Sequence, residues 1–96
     1  MEPASSLEKK FVVQNKLGLH ARPAALLVRT ANKFRSDITI QKGKTKVNAK
    51  SIMGVMMLAA GPGAKVTIRV NGPDAAQAMK ELEKLFANHF GEKDKP

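Results

Sequence analysis

The chain has 96 residues and no cysteine, and its 17 lysine and arginine residues outnumber 8 aspartate and glutamate residues, which gives a net charge of +9. A chain of this length folds as one small domain with little room for an enclosed cavity, so we expect any chemistry to lie at the surface. Without cysteine it can form neither a disulfide framework nor a thiolate metal site. We expect no metal and no other cofactor.

The basic charge is expected to attract acidic partners. Nucleic acid is disfavoured among them, because the basic residues are scattered over several elements and no tyrosine or tryptophan lies between them for base stacking. The N-terminus lacks the apolar run of a signal peptide, and no apolar stretch approaches the roughly 20 residues that cross a bilayer. We therefore expect a cytoplasmic protein without membrane insertion.

Hydrophobic periodicity changes several times along the chain, and each change indicates a new element. The segment KFVVQN predicts a strand that ends near Asn15, RPAALLVRTANKF predicts a helix, and SDITIQ with KTKVNAK predicts a hairpin. Ser51 is a natural N-cap for a helix of about two turns from Ile52 to Ala59, which Gly61-Pro62-Gly63 ends. The segment KVTIRV alternates strictly and predicts a strand.

The last predicted helix follows Gly72-Pro73-Asp74, where proline suits the first turn and aspartate suits the positive helix end. Its apolar stripe includes Phe90, and Gly91 is placed to end it. Four strands and three helices in this order predict a two-layer α+β fold, with an antiparallel or mixed sheet covered on one face. We place a single domain at residues 9–91, between flexible ends at residues 1–8 and 92–96.

The segment KLGLHARPA places His20 in the loop between the first strand and the first helix. Proline is tolerated only in the first turn of a helix, so Pro23 fixes the helix start within a residue or two of His20. The free backbone amides of Ala21 and Arg22 and the positive helix end favour an anion there, and the guanidinium of Arg22 can bind two phosphate oxygens. A histidine before a helix can also be a simple cap. Its combination with Gly18, Arg22 and Pro23 favours phosphoryl transfer onto a ring nitrogen.

Three segments, GLHARPAALLV, VNAKSIMGVMMLAAGPGAKVTI and NGPDAAQAMKELEKLF, resemble the HPr family, the histidine-containing phosphocarriers of the bacterial phosphoenolpyruvate-dependent phosphotransferase system. The resemblance runs from about Lys10 to Gly91. It implies an open-faced β-sandwich of order βαββαβα, in which three helices cover one face of a four-stranded antiparallel sheet. This supplies the antiparallel sense that periodicity alone leaves open.

The resemblance also implies a role for each residue of the histidine motif. His20 would accept a phosphoryl group on Nδ1 from phosphorylated enzyme I and pass it to the A component of an enzyme II complex, for sugar uptake and carbon regulation. Arg22 would bind the phosphate, together with the backbone amides of Ala21 and Arg22. The protein would then be a monomeric carrier that forms a covalent intermediate, rather than an enzyme that turns over a substrate.

A second resemblance concerns Ser51, because KSIMGVM is similar to the segment that HPr kinase/phosphorylase modifies in this family. We expect Ser51 to be a regulatory phosphorylation site as well as an N-cap. The helix that follows carries more apolar residues than a two-layer fold can bury. The resemblance therefore predicts a partner-docking patch with a basic rim at Arg22, Arg29 and Lys50; its apolar members are Leu19, Ile52, Met53 and Met56.

Other functions remain open from the sequence. NKLGLHARPA also resembles NPr, the carrier of the nitrogen-related phosphotransferase chain, whereas KSIMGVM favours the sugar branch. A regulatory module such as Crh would lack the phosphorylated histidine, so His20 argues against it. A basic RNA-binding domain is the remote alternative. The second histidine, His89, lies near the end of the last helix and is interpreted as structural.

Overall fold

The computed structural model describes residues 5–92. Its elements follow the predicted order, with a short 3₁₀ turn added after the last helix; they are β1 (Ser5–Val12), α1 (Ala21–Ala31), β2 (Asp37–Lys42), β3 (Thr45–Asn48), α2 (Ile52–Met57), β4 (Lys65–Gly72), α3 (Ala75–Ala87) and the 3₁₀ turn (His89–Gly91). None of the helices in this part of the chain is long and apolar enough to span a membrane.

The four strands form one antiparallel sheet in the order β1-β4-β2-β3. Strand β4 lies at the centre, and its alternation is the one predicted from KVTIRV: Val66, Ile68 and Val70 are buried, and Arg69 between them is exposed. In the register of β2 with β4, Ile40 faces Ile68 and Ile38 faces Val70. The helices pack their apolar faces against the face of the sheet that carries these buried residues, which confirms the predicted α+β architecture.

Parts of both ends that we predicted to be flexible have defined contacts in the structure. Ser5–Glu8 belong to β1, where Leu7 pairs with Val70 and Glu8 with Arg69, so these residues are part of the ladder with β4. The Arg69 guanidinium also binds the Glu8 carboxylate, and this bond together with the positive charge lowers the pKa of Glu8. At the other end, Glu92 is held by hydrogen bonds. The remainders of both predicted ends, residues 1–4 and 93–96, lie outside the described residues.

All three helices end earlier than predicted, and α1 stops at Ala31 instead of Phe34. Helix α2 stops at Met57 instead of Ala59, which has a positive φ of 50°. Helix α3 stops at Ala87, and His89, Phe90 and Gly91 then follow with φ of 54°, 55° and 76°. Phe90 is nevertheless buried, and its ring packs edge-on against Phe86 at a centroid distance of 4.9 Å. Phe90 therefore extends the predicted apolar stripe into the core from the 3₁₀ turn, and not from a longer α3.

Asp74 is the N-cap residue of α3, but its carboxylate makes no capping bond to that helix. It accepts hydrogen bonds from the Ser36 hydroxyl at 2.6 Å, from the Arg35 backbone N–H at 2.8 Å and from the Ser36 N–H at 2.9 Å. The Ser36 hydroxyl and then the Arg35 amide lower the pKa of Asp74 from its ordinary 3.8 to about 2. The carboxylate thus links the start of α3 to the segment before β2.

This lowered pKa predicts a specific dependence of stability on pH. The folded protein binds the Asp74 proton less tightly than the unfolded chain does, so the stabilisation is complete above about pH 4 and is lost as the pH falls through about 2. We expect the urea midpoint of Asp74→Asn to fall less over this interval than that of the wild type. Asp37→Asn, at an exposed position of β2, is the control. Parallel midpoint curves for wild type and Asp74→Asn would contradict the assignment.

Candidate functional site

His20 is the N-cap residue of α1, as the position of Pro23 predicted. Its backbone is extended, with φ of −77° and ψ of −168°, and its carbonyl accepts the first helical hydrogen bond from the Ala24 N–H at 2.9 Å. The imidazole makes no capping bond. Within residues 5–92 the amides of Ala21 and Arg22 at the first turn therefore have no side-chain acceptor, which is the arrangement that binds anions at helix N-termini.

The loop that carries His20 is held against the loop after α2. The Leu19 N–H donates to the Ala60 carbonyl at 2.8 Å, and the Gly18 N–H donates to the Asn15 carbonyl at 2.9 Å. Gly18 has a φ of +70°, and a Cβ at this position would clash with the Ala60 carbonyl oxygen and lie 2.7 Å from the Cα of Gly61. Glycine is thus required both by the left-handed backbone and by the close approach of the two loops.

The imidazole of His20 contacts Glu92, a residue of the predicted C-terminal tail. His20 Nε2 lies 3.0 Å from Glu92 Oε2, and the side chains are 31% and 17% exposed. Asn15, buried under the loop, donates from Nδ2 to Glu92 Oε1 at 2.6 Å and to the His89 carbonyl at 2.8 Å. Within residues 5–92, His20 Nδ1 has no hydrogen-bond partner. The ring therefore has one engaged nitrogen and one open nitrogen.

Arg22 is exposed in the first turn of α1, two residues after His20. Its guanidinium makes no hydrogen bond or ion pair with the described part of the chain, so its donors are available to a ligand. No group of three or more His, Asp or Glu side chains in residues 5–92 could hold a metal ion. The chemistry available at this site is that of an imidazole nucleophile beside a cluster of anion-binding donors.

The predicted N-cap role of Ser51 is confirmed. Its Oγ accepts a hydrogen bond from the Gly54 N–H at 3.1 Å, and its backbone is extended, with φ of −110° and ψ of 117°. The side chain is partly exposed. Lys50, predicted in the basic rim, instead donates from Nζ to the Phe34 carbonyl at 2.8 Å. The rim expected around α2 is therefore reduced to the exposed side chains of Arg22 and Arg29.

The predicted docking residues separate into two groups. Ile52, Met53 and Met56 are exposed on α2, together with Met57, which the sequence analysis did not single out and which is 74% exposed. We call these four residues the α2 patch. Leu19 is wrong as a docking residue, because it is 5% exposed and its side chain lies in the core. The hydrogen bond from the Leu19 N–H to the Ala60 carbonyl holds this part of the His20 loop against the loop after α2.

Comparison with known proteins now decides the family. The family model for the PTS HPr component phosphorylation site matches residues 7–88. The chain belongs to the HPr family. A phosphocarrier protein HPr of Xylella fastidiosa (strain 9a5c) is 51% identical over 86 residues, which are 90% of this chain and 97% of that protein.

Solved HPr structures have the same fold. HPr-C-His from Thermoanaerobacter tengcongensis matches with a TM-score of 0.88 and 48% identity, over 92% of this chain and 99% of that one. Crh, a Bacillus subtilis catabolite-repression protein described as a domain-swapped, intertwined dimer, matches with a TM-score of 0.69 and 44% identity, over 86% and 95% of the two chains. As a member of the HPr family, the protein is a phosphocarrier of the phosphotransferase system. None of these matches favours an NPr-type carrier or an RNA-binding domain.

His89, interpreted as structural from the sequence, is anchored outside the His20 site. Its Nε2 lies 2.8 Å from Gln14 Oε1, and its carbonyl accepts the hydrogen bond from Asn15. Glu92 is the residue of this site that sequence reasoning missed. It lies 72 positions from His20, beyond the last helix, and no local pattern connects the two. The positive φ of Gly91 is the nearest signal, since a glycine there permits a reversal of the chain.

Proposed function

We propose that His20 accepts a phosphoryl group from phosphorylated enzyme I and passes it to the A components of enzyme II, in sugar uptake and carbon regulation. One observation carries this proposal: His20 is the N-cap of α1 without using its ring as the cap, so within residues 5–92 its Nδ1 is open and the next residues, Ala21 and Arg22, begin the helix with amides that the ring does not cap. Membership of the HPr family suggests the partners, and the geometry is consistent with the reaction.

In the proposed transfer, the Nδ1 lone pair of His20 attacks the phosphorus of the donor. The Nδ1–P bond forms as the bond between phosphorus and the donor atom breaks, and the electron pair of that bond leaves with the donor. The amides of Ala21 and Arg22 and the Arg22 guanidinium stabilise the charge on the three phosphoryl oxygens. Because the resulting phosphoramidate is labile, the next acceptor can remove the group. The protein thus acts as a covalent carrier and not as an enzyme.

The test of this function is incubation with phosphoenolpyruvate and enzyme I, followed by addition of an enzyme II A component. We expect one phosphate per chain, stable in alkali and labile in acid, which is lost when the A component is added. A protein that takes up no acid-labile phosphate but changes its mobility with RNA would contradict the proposal and support the remote alternative.

We further propose that HPr kinase/phosphorylase phosphorylates Ser51. The Oγ accepts a hydrogen bond from the Gly54 amide, and a phosphate on it would lie at the start of α2, beside the α2 patch. Roughly two added negative charges there would repel an acidic partner surface without unfolding the helix. The α2 patch is the surface that we propose docks enzyme I, the enzyme II domains and the kinase, because methionine side chains adapt to several partners.

Substitution of Ser51 separates its two roles. With HPr kinase and ATP, the wild type should gain an acid-stable phosphate that Ser51→Ala does not gain. The variant should also lose about 1 kcal/mol of unfolding free energy, because the Gly54 amide loses its cap. Ser51→Asn restores a capping oxygen and should recover most of the stability without recovering the phosphate. An acid-stable phosphate on Ser51→Ala would contradict the assignment.

We also propose that the protein works as a cytoplasmic monomer. The net charge of +9 opposes self-association through like-charge repulsion. The Crh relative is described as a swapped dimer, so light scattering over a range of protein concentrations is the direct measurement. A monomer mass throughout supports the proposal, and a dimer mass contradicts it.

A further inference from the structure

The chain after α3 reverses sharply and returns Glu92 to the His20 loop. His89, Phe90 and Gly91 all have left-handed backbones, although only one of them is glycine. This arrangement persists because its surroundings hold it: Phe90 is buried against Phe86, and the Asn88 side chain accepts the Gly91 N–H at 3.2 Å. The position of Glu92 is therefore set by the core and not by the course of a loose tail.

Asn15 orients the Glu92 carboxylate. Its amide nitrogen has two hydrogens, and the His89 carbonyl and Glu92 Oε1 accept one each, at 2.8 Å and 2.6 Å. Asn15 is 1% exposed, so its side-chain amide is shielded from water. The other carboxylate oxygen, Oε2, is then left 3.0 Å from His20 Nε2. Asn15 therefore determines which oxygen of Glu92 faces His20.

An ionised carboxylate only accepts hydrogen bonds, so the short contact requires His20 Nε2 to carry the proton. In the neutral ring this leaves the lone pair on Nδ1, the nitrogen without a partner in residues 5–92. We propose that Glu92, oriented by Asn15, is a positioning residue that selects the Nε2–H tautomer of His20 and so directs phosphoryl transfer to Nδ1. This inference rests on the proposed function of His20.

The same contact also assists the step itself. When Nδ1 forms its bond to phosphorus and the donor bond breaks, the ring keeps its Nε2 proton and gains positive charge. The Glu92 carboxylate faces that proton and stabilises the charged ring. Glu92 itself gains and loses nothing in the transfer. It contacts the ring on the side away from Nδ1 and does not contact the phosphoryl group.

Substitution with glutamine gives the sharpest test. In Glu92→Gln, the Asn15 donor requires the amide oxygen at the Oε1 position, which turns the amide NH₂ toward His20 Nε2. A donor there favours the opposite tautomer, with the proton on Nδ1. Nitrogen-15 spectra of the neutral His20 ring should show Nε2–H in the wild type, Nδ1–H in Glu92→Gln and a mixture in Glu92→Ala.

The rate of phosphorylation by enzyme I and phosphoenolpyruvate is the second readout. We expect Glu92→Gln to be at least about tenfold slower than the wild type, because the attacking nitrogen is protonated. Glu81→Gln makes the same change of charge on α3, where the carboxylate contacts Lys84, and should match the wild type in both measurements. Circular dichroism of each variant checks the fold.

The outcomes separate this inference from the proposed function. A wild type that takes up no phosphate overturns the function. A wild type that is phosphorylated normally, with Glu92→Gln unchanged in either the tautomer or the rate, overturns the role of Glu92. A changed tautomer with a tenfold slower rate supports it.

Discussion

Replacement of His20 with alanine should abolish the uptake of phosphate from phosphorylated enzyme I. Alanine has no nitrogen lone pair, and the neighbouring anion-binding groups, the amides of Ala21 and Arg22 with the Arg22 guanidinium, can bind a phosphate but cannot form a bond to it. The expected result is a complete loss of the acid-labile label, measured with isotopically labelled phosphoenolpyruvate. No other residue near the helix start offers an equivalent nucleophile in the described part of the chain.

The fold should survive this substitution. The His20 ring makes no capping bond to α1, and its helical contact is made by the backbone carbonyl, which alanine retains. We therefore expect a change in unfolding free energy below about 1 kcal/mol. His89→Ala is the matched control. It removes the second histidine, whose ring contacts Gln14, and should take up as much labelled phosphate as the wild type. Equal labelling of His20→Ala and the wild type would refute the assignment of His20.

Substitution of Gly18 with alanine should be the most destabilising change in the site. The left-handed φ of +70° costs an L-residue about 1–2 kcal/mol, and displacement of packed atoms typically costs another 1–3 kcal/mol. The atoms that a Cβ would meet belong to the backbone of Ala60 and Gly61, which cannot rotate away. We expect a total loss of about 2–5 kcal/mol, measured by urea denaturation.

Gly43→Ala provides the control for Gly18→Ala. Gly43 has a similar φ of +58°, but a Cβ there meets nothing within 4 Å. The unfolding free energy of Gly43→Ala should therefore fall only by the cost of the left-handed backbone, about 1–2 kcal/mol. Because Leu19 is bonded to Ala60, separation of the two loops in Gly18→Ala should also displace His20 and slow its phosphorylation, whereas Gly43→Ala should be phosphorylated normally. Equal losses of stability in the two variants would show that the loops do not need the close approach.

Local sequence patterns predicted most of the fold because the local rules are strong in this chain. Strict alternation gave the central strand β4, and Pro23 fixed the start of α1 at His20. The strand order could not be read in the same way, because β1 and β4 pair residues as distant as Leu7 and Val70. Periodicity reports which face of an element is buried, but it does not report which element covers that face.

The geometry around His20 and Ser51 was predicted where it is local and missed where it is not. His20, Ala21 and Arg22 follow from one helix start, and Ser51 caps another. Leu19 was assigned to the surface because the sequence gives no sign of its backbone bond to Ala60, which turns it inward.

Glu92 was missed for a related reason. Left-handed residues other than glycine carry no reliable mark in a sequence, and the reversal through His89 and Phe90 depends on the packing of the Phe90 ring in the core. The expected flexible tail was a reasonable inference from composition. Tertiary packing overrode it at Glu92, which contacts the His20 ring.

The modest anchoring of α2 has a consequence for how partners bind. Of its six residues, Val55 alone is buried, and the helix is held at its start by the single Ser51 cap. Elements with so few buried contacts open locally at a much lower free energy than the whole domain, so amide hydrogen exchange should be fast in α2 and slow in β4. If the α2 patch docks partners as we propose, α2 can change its conformation locally on binding while the central strand β4 stays closed. The contrast lies within the helical layer as well, because α1 and α3 each bury five residues against the core whereas α2 buries Val55 alone.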